Sequence, residues 1–131
     1  MPYWFWLYLI EQSLARIGKD CTFYQGHLQC FEMLTNYRTF FGNAFKVSGM
    51  DSPVHQTERY MVDMYLKMAS ERDFSGFTQE QILLIRFYNA GASGMTRQWA
   101  CTDMQESPQE MAACFNESAP EFLKAVLEGR A

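Results

Sequence analysis

Between Thr78 and Thr102 the sequence carries one long apolar segment with a strong start signal, and any fold must bury or pair it. Thr78 followed three residues later by Gln81 is the pattern of a capping box, in which each side chain satisfies a backbone N–H at the start of a helix. At helical spacing Leu84, Tyr88, Gly91, Met95 and Trp99 line one side, while Ile82, Ile85 and Phe87 make most of the rest apolar. A helix that is apolar nearly all round is central or lies at an interface. Gly91 and Gly94 each cost about 1 kcal/mol relative to alanine inside a helix, so a close helix contact is expected to compensate. The run Ala90-Gly91-Ala92-Ser93-Gly94 leaves a flat groove for another helix, from the same chain or from a second copy. The adjacent Trp99 and an apolar final helix tilt the expectation slightly toward a second copy.

Strand signals are nearly absent, and helical periodicity recurs along the rest of the chain. Tyr3, Leu7, Ile10, Leu14 and Ile17 form an apolar stripe that Gly18 ends, with Trp4, Phe5, Tyr8 and Leu9 lying off it. A second helix is expected from about Thr22 to Leu34 with Tyr24, Leu28 and Phe31 inward. A third, from about Tyr37 to Val47, places Tyr37, Phe40, Phe41, Ala44 and Phe45 on one face and closes at Ser48-Gly49. Ser52 and Pro53 open a fourth as N-cap and first helical position, and it carries Val54, Met61, Met64, Tyr65 and Met68 inward. Phe74-Ser75-Gly76-Phe77 breaks the chain before the long helix. Ser107, Pro108 and Glu110 start a later one, and Pro120 breaks it ahead of a short segment with Phe122, Leu123, Val126 and Leu127. The expectation is a single all-α domain over residues 1–131, a bundle of about six helices.

Composition narrows the class. With 131 residues, 48% of them apolar and 16% aromatic, the chain can fold without staples and is not disordered. Nine Met beside 11 Phe and 7 Tyr indicate an adaptable interior, with core filling favoured over a ligand cavity. A net charge of −4 supplies no field for phosphates, so this chain is not expected to bind DNA. Cys21, Cys30, Cys101 and Cys114 lack the close paired spacing of a zinc site and read as reduced thiols in a cytoplasmic protein. The apolar run Tyr3 to Ile10 is far short of the ~20 residues that a membrane span needs and lacks the flanks of a signal peptide.

No residue pattern demands an enzyme, a cofactor or a metal. A di-iron bundle needs Glu-x-x-His on facing helices, and His55 and Glu58 run in the opposite order and alone. Cys30 follows His27 by three residues, but proximity in sequence is weak evidence for a nucleophile and its base. Gly91 and Gly94 do not match a phosphate loop. Tyr24, His27, Asn36, Asn43, Tyr60 and Tyr65 are polar groups set among aromatics, and a few such groups converging on an apolar cavity make a small-molecule site. The residues expected there are Tyr24, His27, Phe31, Phe41, Asn43, Met64, Tyr65 and Tyr88, with His27 or Asn43 holding the polar end of a small, largely apolar effector.

The segment Phe87-Tyr88-Asn89-Ala90-Gly91-Ala92-Ser93-Gly94, then Trp99, then Ser107-Pro108-Gln109-Glu110-Met111-Ala112, resembles the C-terminal signature of TetR-family transcriptional regulators. In that signature an f-Y-x-x-G-x-x-G helix ends in a Trp and s-P-x-E-M-A follows. Asn36-Tyr37-Arg38-Thr39-Phe40-Phe41-Gly42-Asn43-Ala44-Phe45 with Ser48-Gly49-Met50-Asp51-Ser52 resembles a second segment of the same effector domains, and the regulators of dihydroxyacetone-kinase operons are the subgroup it resembles most. The resemblance implies an effector-binding domain that forms a homodimer through its last two long helices, paired as a four-helix bundle with those of the other subunit. The interface residues so expected are Tyr88, Gly91, Gly94, Met95, Trp99, Met111, Phe115 and Phe122. It further implies that DNA is met only through an N-terminal helix-turn-helix unit absent from these 131 residues, which Trp4, Phe5 and Tyr8 would have faced. A stand-alone helical enzyme using His27 and a scaffold that only dimerises are the rival expectations.

Overall fold

The computed structural model describes residues 3–46 and 53–130. They form helix α1 (Tyr3–Glu11), a 3-10 turn (Leu14–Arg16), and helices α2 (Phe23–Asn36), α3 (Arg38–Ala44), α4 (Pro53–Glu71), α5 (Gln79–Cys101), α6 (Pro108–Ser118) and α7 (Glu121–Leu127). There is no strand among the described residues, so the all-α expectation holds, with seven α-helices in place of about six.

Local chemistry sets most of the helix boundaries. Thr22 with Gln25, Thr78 with Gln81 and Ser107 with Glu110 each form a reciprocal capping box. Pro108 takes the first turn of α6, where its missing N–H costs nothing, and Pro120 separates α6 from α7 as the N-cap of the latter. The closure at Ser48-Gly49, the cap at Ser52, and the side chains of Val54 and His55 lie outside the described residues, as does Val47 at the expected end of α3.

The first helix is shorter than its stripe suggested. It stops at Glu11, the Ser13 hydroxyl donates back to the Leu9 carbonyl at 2.7 Å, and the chain turns through Leu14–Arg16. Its buried face is Trp6, Leu9 and Ile10, continued by Leu14 and Ile17, while Leu7 is only half-buried. Trp4 and Tyr8 are 68% and 54% exposed. In α2 the inward residues are Phe23, His27, Cys30, Phe31 and Leu34, with Tyr24 and Leu28 at the margin. In α3 Phe41 and Ala44 are buried, as is Phe45 just beyond, whereas Tyr37 and Phe40 stay exposed.

α2 lies along α6, α4 along α5, and α7 closes on α4. Aromatic rings join the layers: Phe31 of α2 meets Trp99 of α5 edge-on at 5.1 Å and Phe115 of α6 at 5.0 Å. Such pairs contribute about 0.5–1.5 kcal/mol beyond the area they bury.

One arginine ties the ends of the chain together. Arg72, just after α4, donates to the carbonyls of Leu127 at 2.8 Å and Met68 at 2.8 Å, and also to that of Ile17. Gly18 beside it has φ +84°, and a Cβ there would lie 1.9 Å from the Leu127 carbonyl oxygen, so only glycine fits. The carboxylate of Glu128 accepts from the Phe23 N–H at 2.7 Å, at the start of α2. Replacing Arg72 with Met leaves carbonyls of three segments short of a donor and should lower the unfolding free energy by about 3 kcal/mol in urea titrations. Arg72→Lys should recover only part of that, because an ammonium cannot span three acceptors in the fork geometry of a guanidinium.

Candidate functional site

Two features stand out, an interior chamber and a surface groove, and they share a wall. The chamber encloses about 50 Å³ and is lined by Trp6 of α1, Leu14, His27, Cys30, Phe31 and Leu34 of α2, Phe45, Met61 and Tyr65 of α4, Ser93 and Thr96 of α5, and Phe115 of α6. None of these carries a formal charge at neutral pH, given the state of His27.

His27 is fully buried, and its Nδ1 lies 2.8 Å from the Phe23 carbonyl one turn back. A carbonyl can only accept, so Nδ1 carries the hydrogen. Burial pushes the imidazole down to about 4, against the opposing pull of that bond, so the ring is neutral and Nε2 presents a lone pair. Among the described residues Nε2 has no hydrogen-bond partner. Burial pushes the Cys30 thiol up to about 12, partly offset by a hydrogen bond with Ser13. A thiol in that state is not a nucleophile at neutral pH. Tyr65 and Tyr88 are likewise pushed up by burial, and so remain neutral phenols. Among the described residues the buried Trp6 Nε1 and Tyr88 hydroxyl have no hydrogen-bond partner.

Of the residues expected in a ligand site, the structure brings His27, Phe31 and Tyr65 together on the chamber wall. Phe41, Met64 and Tyr88 are buried outside its lining, Tyr24 is half-buried, and Asn43 and Asn36 are exposed. Trp6, Cys30, Met61, Thr96 and Phe115 line it without having been singled out for it. Trp6 had a usable signal: with Leu9, Ile10, Ser13 and Ile17 it repeats at three and four residues, a better fit to the buried face than the stripe from Tyr3.

The groove runs between α5 and α6. Because α6 packs on α2 while α5 packs on α4, the two do not close against each other, and a channel of about 620 Å³ remains. Leu84, Phe87, Gly91 and Met95 form one wall, and Cys114, Ser118 and Phe122 the other. Phe87 is 83% exposed, and Leu83, Leu84 and Met95 are exposed as well. A Cβ at Gly91 or Gly94 would meet nothing within 4 Å, so no other described segment packs on these glycines.

The expected inner side of α5 therefore divides. Tyr88 and Trp99 face inward with Ile85, Asn89, Thr96 and Ala100, whereas Leu84, Gly91 and Met95 face out. The polar residues on the inner face are satisfied there, Asn89 from another helix and Thr96 within its own. Asn89 donates to the Glu58 carbonyl at 2.7 Å, and Thr96 donates to the Ala92 carbonyl at 2.8 Å. Of the expected interface residues, Gly91, Gly94, Met95 and Phe122 lie on the groove or its continuation with at least part of their surface open. Tyr88, Trp99, Met111 and Phe115 border it but are buried within the chain, and Trp99 Nε1 donates to the Glu106 carbonyl at 2.9 Å. Phe115 alone lines both the chamber and the groove.

Among the described residues no group of three His, Cys, Asp or Glu side chains could hold a metal ion, and no helix is long and apolar enough to cross a membrane. Residues 22–120 match the family model described as the C-terminal region of a transcriptional regulator. The match is to the family and does not extend to the subgroup suggested by the sequence around Asn36. No curated protein and no solved structure matches the chain.

The chamber yields a prediction for acid stability. His27 in the unfolded chain titrates near 6.5 and in the fold at about 4, so its contribution is fully present above pH 6.5 and lost as pH falls toward 4. The loss integrates to on the order of 3 kcal/mol. Urea unfolding followed between pH 7.5 and 4 should show this slope, and the variant His27→Gln should be flatter over the same window.

Proposed function

Because the chain belongs to the family of TetR-type transcriptional-regulator C-terminal regions, we propose that it serves as a regulatory domain that dimerises through the α5–α6 groove and takes a small effector in the interior chamber. The observation that carries the reading is the outer face of α5. It combines large exposed apolar side chains at Leu83, Leu84 and Phe87 with two glycines that no other described segment approaches. A lone surface helix gains nothing from mid-helix glycines, which each cost about 1 kcal/mol. A helix of a second copy, seated close against Gly91 and Gly94 and covering Phe87 and Met95, offsets that cost. A two-fold pairing also makes one surface self-complementary, which suits a groove built from two helices of one chain.

The two sites sit on the same helical turns. Thr96 lines the chamber and its neighbour Met95 the groove, and on α6 Phe115 lines both while its neighbour Cys114 lines the groove. A ligand that favours one packing of α5 against α6 therefore biases the geometry of the dimer, which is the differential interaction that regulation requires. The modest chamber volume favours one second reading, a domain that dimerises without an effector.

Sedimentation velocity tests the interface. The chain is expected to sediment as a dimer and Gly91→Trp as a folded monomer, while a Gly91→Trp dimer of unchanged affinity would remove α5 from the interface. A thermal-shift screen of small organic molecules separates the two readings. An effector that binds the folded state raises the melting temperature as its concentration rises, by about 2.7 kcal/mol of stabilisation at a hundredfold excess over Kd. A domain that only dimerises shows no such rise.

A further inference from the structure

Among the described residues the chamber wall carries polar side chains, with His27, Tyr65, Ser93 and Thr96 among them, and no charge. Among the described residues no hydrogen bond reaches His27 Nε2, which is left as an acceptor, whereas Trp6 Nε1–H, also unpartnered, is closed off from the open space. Both side chains are about 4% exposed and both line the chamber. No Asp, Glu, Lys or Arg among the described residues lines it, so an ion entering would give up its hydration with no opposite charge there to replace it. At about 50 Å³ the space holds roughly four water-sized atoms. A hydroxyl can donate to this acceptor without bringing a charge, whereas a ketone only accepts and a carboxylate is an anion.

Resting on the effector reading above, we infer that the chamber selects an uncharged molecule of a few heavy atoms carrying a hydroxyl, whose O–H donates to His27 Nε2. His27 is then the residue that sets specificity: its hydrogen is committed to the Phe23 carbonyl, and this fixes which nitrogen faces the ligand as acceptor. Met61, Leu34 and Phe31 supply the apolar lining around the carbon skeleton.

The test uses the whole chain with carbon-13-labelled methionine methyl groups. Met61 lines the chamber, and Met95, exposed on the groove, reports adventitious surface binding. The probes are 2-propanol, acetone, acetate and isopropylammonium, four molecules of nearly one size and shape. The expected result is a saturable shift of the Met61 methyl by 2-propanol without a parallel shift of Met95, about tenfold weaker binding of acetone, and no shift from either ion. In His27→Phe the preference for 2-propanol over acetone should vanish while acetone binding stays the same, an outcome that a merely structural role for His27 would not produce. Equal or stronger shifts of Met61 by acetate or isopropylammonium in the wild-type chain would overturn the ligand class and leave the effector reading standing. No shift of Met61 by any probe would mean a hydrated void only, and would overturn both.

Discussion

Three segments far apart in sequence end at one guanidinium. Arg72 donates to the carbonyl of Met68 in its own helix, to that of Ile17 at the end of the first excursion, and to that of Leu127 at the end of the last helix. Helix ends leave carbonyls that nothing inside the helix can satisfy, and here one planar side chain serves several of them. The close approach of Leu127 to Gly18, and the bond from Phe23 N–H to Glu128, depend on the same junction. With α7 held there, the segment from α1 to α2 and the layer of α4 and α5 keep a fixed relation, and the chamber between them has a definite shape.

Inside that frame the apolar interior tolerates polar groups because nearly all of them find a carbonyl. Ser13 donates to Leu9, His27 to Phe23, Asn89 to Glu58 and Thr96 to Ala92. An unpaired buried polar atom costs about 1–3 kcal/mol, which makes the exceptions informative. Trp6 Nε1 and the Tyr88 hydroxyl are such exceptions. Trp6 lines the chamber together with His27, whereas Tyr88 lies outside that lining, so the unsatisfied atoms fall at two separate places in the interior.

How much of this was legible in the sequence follows from the range of the interactions concerned. The capping boxes at Thr78 and Ser107, the break before Thr78 and the interruption at Pro120 are decided within four residues, and each stands where the sequence places it. The family resemblance carried by the segment from Phe87 to Ala112 likewise agrees with the match over residues 22–120. The rotation of α5 was not legible, because counting apolar residues cannot tell that Asn89 and Thr96 go inside. The partner of Asn89 lies on another helix and is in place only once the helices have packed, while Thr96 hides its hydroxyl on the carbonyl of the turn before. The buried face of α1 was obscured for a related reason: every position from Tyr3 to Ile10 is apolar, so composition gives no contrast from which to read a face. For the chamber, His27, Phe31 and Tyr65 could be named as aromatic or polar residues on inward faces. Asn43 lay beyond such reasoning, since its exposure depends on how α3 tilts against α5.

The double role of the Phe115 ring has a further consequence. The ring lines both a space of about 50 Å³ and an open channel of about 620 Å³. It is a shared partition, held by Phe31, His27 and Tyr88. Any displacement of it would alter the interior and the outer contour of the molecule together. Inside and outside thus share one coordinate, written into the chain by a single benzyl group.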